Sequence, residues 1–80
     1  MLRINVPPNG PAKIDYSTFR NYLLPVPPNG IDSEANNNLV LLFDNPQKAI
    51  AYAKELKGLQ GSQKKVGNEI IAAIVNDLSQ

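Results

Sequence analysis

Leu39-Val40-Leu41-Leu42-Phe43-Asp44-Asn45-Pro46 is the stretch that decides how this chain folds. Its first five residues are an unbroken apolar run, too short for a helix and suited to a strand buried on both faces. The next three begin a helix. Asn45 suits the N-cap, where its side chain accepts from an orphan backbone N–H, and Pro46 suits the first helical position, where a missing N–H costs nothing. Beyond it, Ala49, Ile50, Ala53 and Leu56 recur at helical spacing as an apolar stripe, with Lys48, Lys54 and Glu55 turned outward. Lys54 and Lys57 meet the negative end of the helix dipole, and Gly58 is expected to close the helix in a left-handed conformation. A strand followed by a capped helix recurs across unrelated folds, so it carries no function by itself.

Towards the C-terminus a second helix is expected to start near Ser62. Val66, Ile70, Ala73, Ile74 and Leu78 form its inner stripe, widened by Ile71 and Val75, and Gly67 weakens it by about 1 kcal/mol relative to alanine. Towards the N-terminus, residues 30–38 are polar, hold three consecutive asparagines, and read as an exposed mobile loop. Before that loop the same five residues, Val-Pro-Pro-Asn-Gly, occur twice, at 6–10 and at 26–30. Proline stiffens and extends each copy, and Asn-Gly supplies a bend, so the pair routes the chain around residues 11–25. Within that segment Asp15 or Ser17 is positioned to cap a short helix that sets Tyr16, Phe19, Tyr22 and Leu23 on one face and stops at Pro25. At the start of the chain, Leu2, Ile4 and Val6 alternate with Arg3 and Asn5, the period of a half-buried strand ended by Pro7 and Pro8.

The expected fold is therefore α+β: one small globular domain over residues 1–80, with two short strands covered by about three helices and a C-terminal helical hairpin. A parallel strand pair would need a right-handed crossover, and the sequence does not choose between that and an antiparallel pair. The alternative is a mainly helical domain in which residues 2–6 never pair.

Composition narrows the chemistry. The 80 residues carry eight basic and seven acidic side chains, a net charge of +1, and neither half has the positive field of non-specific nucleic-acid binding. With no cysteine there is no thiolate nucleophile, disulfide framework or cysteine-ligated metal centre; with no histidine there is no imidazole base. The carboxylates are scattered, with only Asp32 and Glu34 near one another in sequence, and no cofactor is implied. No segment reaches the roughly 18 consecutive apolar residues of a membrane span, and the N-terminus has no apolar run of signal-peptide length. A cytoplasmic protein that makes no membrane contact is the expectation.

Four features are candidates for function. The proline spacing of Pro8 with Pro11 and of Pro25 with Pro28 matches short polyproline ligands, but Asn-Gly breaks each run and paired turns explain it better. Ser62, Lys64 and Lys65 lie at the presumed start of the last helix, where cations are locally unfavourable and a phosphate would relieve the conflict; solvated lysines are the bland reading. A helix-turn-helix reader would present Gln63, Lys64, Lys65 and Asn68 to a nucleic-acid groove, although ordinary helical hairpins are far commoner. Finally, Ile71, Val75 and Leu78 make the last helix apolar over more than one stripe, which suits a partner protein or a homodimer as well as burial in one core. Tyr16, Tyr22 and Tyr52 read as core-edge residues with wet hydroxyls. The functional expectation is a non-enzymatic protein-interaction module, with a nucleic-acid or phosphate-binding accessory module as the alternative.

Overall fold

The computed structural model describes residues 1–7, 10–32 and 39–80 of the chain. In chain order it contains β1 (Leu2–Val6), α1 (Tyr16–Asn21), β2 (Ile31–Asp32), β3 (Leu39–Phe43), α2 (Pro46–Lys57) and α3 (Ser62–Leu78). The α+β reading holds, with one correction: the sheet has three strands in the order β1-β3-β2, not two, and both pairings are antiparallel.

The apolar run forms the middle strand. Leu39, Leu41 and Phe43 face the same side as Val6, Ile4 and Leu2, their partners in β1, and Ile31 joins this face opposite Leu41. On that side α2 and α3 pack on each other, with α3 against β1 and α2 against β3. The interior that results contains Ile4, Leu41, Phe43, Leu56, Ile70 and Ile74, all essentially inaccessible. On the outer face Val40 is buried and Leu42 half-buried, so β3 comes close to being covered on both sides. Arg3 of β1 reaches across β3 to Asp32 of β2 at 2.7 Å. This pair is partly exposed and worth at most about 1 kcal/mol.

The helix starts follow from local chemistry. Asn45 accepts from the Lys48 N–H at 2.9 Å with Pro46 following it, and Asp15 accepts from the Thr18 N–H at 2.7 Å. That amide, together with the Thr18 side chain, holds the Asp15 carboxyl below its ordinary pKa.

Several details of the helices differ from the sequence expectation. Ile50 is 46% exposed, and Tyr52 takes the inward position, its ring 5.5 Å from that of Phe43. Gly58 is right-handed at φ −79°, because the helix ends with a tightened last turn; in the connection that follows, Gly61 takes a positive φ of +68°. Gly67 is buried where the two C-terminal helices approach. A β-carbon there would stand 3.3 Å from Leu59 Cδ1 and 3.4 Å from the Leu56 carbonyl oxygen. A methyl there would need Leu59 to give by a few tenths of an ångström, while the Leu56 carbonyl would be at ordinary contact distance.

Of the two five-residue repeats, the second is described in full. In the second, Gly30 lies at φ +91°, donates to the Pro27 carbonyl at 3.0 Å and closes the expected turn. Asn29 then fastens that turn to Asp44 at 2.8 Å. In the first, Pro8 and Asn9 lie outside the described residues. There Lys13 is left-handed, at φ +50°, and its N–H donates to the Gly10 carbonyl. Of the expected loop at 30–38, residues 31 and 32 belong to β2, and 33–38 lie outside the described residues.

Candidate interaction surface

α1 is six residues long, and its ending shapes an open, largely apolar surface. Pro25 keeps Leu24 out of the helical region, so the helix must finish before it. Tyr22 is the C-cap, and Leu23 follows in the left-handed region at φ +51°, its N–H donating to the Arg20 carbonyl at 3.2 Å. Glycine is the usual residue at that position, since a β-carbon there is crowded by the adjoining carbonyl. Leucine occupies it here, and its side chain is 84% exposed, which corrects the expected inward place of Leu23 beside Phe19.

The backbone reversal sorts the next residues by side. Leu24 and Pro27 turn inward and are buried, while Val26 turns outward and is 68% exposed. Between α1 and β2 this leaves an open groove of about 470 Å³. Buried Phe19 and Leu24 line it together with half-buried Ile31 and Tyr16, and exposed Leu23 and Val26 stand at its margin. The charged lining residue is Arg20, whose guanidinium carbon lies 5.8 Å from the centre of the Tyr16 ring. Helical periodicity missed this surface. The signal that could have found it is Leu-Leu-Pro at 23–25, where proline ends the helix just as its apolar stripe would reach Leu23.

The residues singled out on α3 are placed differently from one another. Ile71 and Leu78 are half-buried against the core, and Val75 alone of the three is largely exposed, at 56%. They form no continuous uncovered stripe. Ser62, Lys64 and Lys65 are exposed and do come together with Gly61 and Asn68 around a shallow concavity. Gly61 gives α3 no side-chain cap, and its first turn holds no acid. Gln63 is committed elsewhere, its Nε2 donating to the Tyr22 carbonyl at 2.7 Å and tying α3 to the end of α1. Both lysines are exposed.

Two further contacts fix the frame. Glu69 on α3 accepts from the Ala12 N–H at 2.6 Å and lies against Gly10, at the edge of a cleft that also meets Asn76 and Asp77. The Tyr52 hydroxyl donates to the Pro25 carbonyl at 2.5 Å, so this phenol is not wet as expected. Burial, and then the charge of Glu55, raise its pKa above the ordinary tyrosine value. Through that bond α2 holds the proline that ends the groove segment. Among the described residues no three carboxylates gather where they could hold a metal ion, and no helix is long and apolar enough to cross a membrane. The chain matches no protein-family model, and no curated protein or solved structure is significantly similar to it.

Proposed function

We propose that this chain is a non-enzymatic binding module that docks a partner protein through the groove between α1 and β2. One observation carries the reading: Leu23 is 84% exposed in a left-handed conformation that leucine avoids. Such a residue costs the isolated fold about 1–2 kcal/mol of backbone strain and returns no burial. A partner that covered it would gain about 1.5–3 kcal/mol from the side chain, and more from Val26 beside it. Conflicts of this kind between local stability and sequence concentrate where a chain functions. The inventory supports the non-enzymatic half of the reading. Without imidazole or thiol, proton transfer or nucleophilic attack near neutral pH would need a perturbed carboxylate, lysine or serine beside a partner group.

The test compares three forms of the full chain as immobilised bait in host extract: the natural sequence, Leu23→Gly and Val75→Asp. A specific partner should be held by the natural chain and by Val75→Asp, and reduced at least about tenfold on Leu23→Gly. Leu23→Gly removes the anchor and the strain together, so it should melt no lower than the natural chain. Retention unchanged on Leu23→Gly overturns the proposal. Loss on Val75→Asp alone does so as well, and moves docking to the Ile71, Val75 and Leu78 side of α3.

A further inference from the structure

The geometry points to the occupant of this groove: a short apolar segment of a partner chain that carries a carboxylate beside its anchoring side chain. The inference rests on the docking proposed above and adds the chemistry of what docks. Charge is the first argument. Among the described residues lining the groove, Arg20 is the charged one, and no carboxylate forms an ion pair with it. Asp32, next to Ile31 at the groove wall, is already engaged at 2.7 Å by Arg3 on the far side of the sheet. The Tyr16 ring beneath the guanidinium helps to fix its position without neutralising it. An arginine held in this way, beside apolar walls, prefers a carboxylate, which it can grip through two parallel hydrogen bonds.

Size is the second argument, and it weighs against a second copy of the chain. A stable pair of folded proteins uses about 20–30 residues and about 800 Å² on each side. This groove is lined by a short helix, the loop after it and one residue of β2, and its volume of about 470 Å³ lies in the range of clefts that take small ligands. A symmetric pair formed through it would also join two copies of a patch in which Arg20 is the charged lining residue and no carboxylate answers it. One or two anchoring side chains on a peptide segment fit both the space and the charge.

The experiment is selection of a random peptide library on the full chain, run in parallel on Arg20→Glu and Leu23→Gly. The natural chain should enrich peptides that pair an aliphatic or aromatic residue with Asp or Glu nearby, and Arg20→Glu should enrich Lys or Arg in the acid's place. The best peptide should bind Arg20→Gln about tenfold more weakly, and its affinity should fall as salt rises. Peptides that need Leu23 but ignore Arg20→Gln would overturn the carboxylate inference and leave docking at the groove intact. Sedimentation showing a dimer that Leu23→Gly abolishes would overturn it in favour of a second copy. No enrichment, together with partner capture indifferent to Leu23→Gly, would remove both proposals.

Discussion

Tyr52 carries a phenol into the interior and uses its hydroxyl to hold the Pro25 carbonyl, 27 residues away in the chain. That partner is out of reach of local sequence reasoning, which sees an aromatic on an amphipathic helix and sends its hydroxyl to water. The consequence is a defined pH dependence. The native pKa is raised, so the neutral form stabilises the fold fully below the unfolded value of about 10, and that stability is lost as pH rises towards the native value. Above about pH 10 the unfolded chain releases this proton while the native chain keeps it, which lowers stability by about 1.4 kcal/mol per pH unit. Tyr52→Phe should cost about 1 kcal/mol near neutrality, where one hydrogen bond is removed, and should lose this share of the alkaline slope. Urea denaturation of both forms between about pH 8 and about pH 11 measures it. Parallel stability curves across that range would show that the hydroxyl is not sequestered.

At the scale of elements, most of what is local was legible. Asn45 and Pro46 announce α2, Asp15 caps α1, and the five apolar residues of β3 stand out between polar flanks. What failed had non-local causes. β2 is two residues cut from a polar stretch, and only its pairing with Leu41 and Val40 makes it a strand. Ile50 is the exception with a local signal: Ala49, Tyr52, Ala53 and Leu56 stand at the i, i+3, i+4 and i+7 spacing of one face, and Ile50, a residue after Ala49, falls off it. Gly67 sets the two kinds of reasoning directly against each other. Helix propensity alone predicts that Gly67→Ala gains about 1 kcal/mol. The structure limits that gain, because the new methyl would stand 3.3 Å from Leu59 Cδ1 and needs that side chain to shift by a few tenths of an ångström, while the Leu56 carbonyl is at ordinary contact distance. Thermal melting should find Gly67→Ala raised by less than the propensity gain alone would give. A rise matching the full gain of about 1 kcal/mol would mean that Leu59 moves aside at no cost.

For the whole molecule, the candidate site was less legible than the fold. The groove exists only because Pro25 ends α1, α2 holds the Pro25 carbonyl, and β2 brings Ile31 alongside, three events spread over the chain. Folding and docking consequently rest on different leucines. Leu41 is inaccessible at the centre of the sheet, flanked by Ile4 on one side and Ile31 on the other. Truncating a leucine in such a place costs about 2–5 kcal/mol, whereas an 80-residue chain is stable by only about 4–12 kcal/mol in all. Leu41→Ala should therefore remove about a sixth of the total stability or more, seen as a lower urea midpoint with an unchanged slope. Leu23 carries no comparable share, since its side chain touches mostly water. If Leu41→Ala shifted the midpoint no more than Leu23→Gly does, the sheet would not be the structural centre, and the division between a leucine that folds the chain and one left over for a partner would collapse.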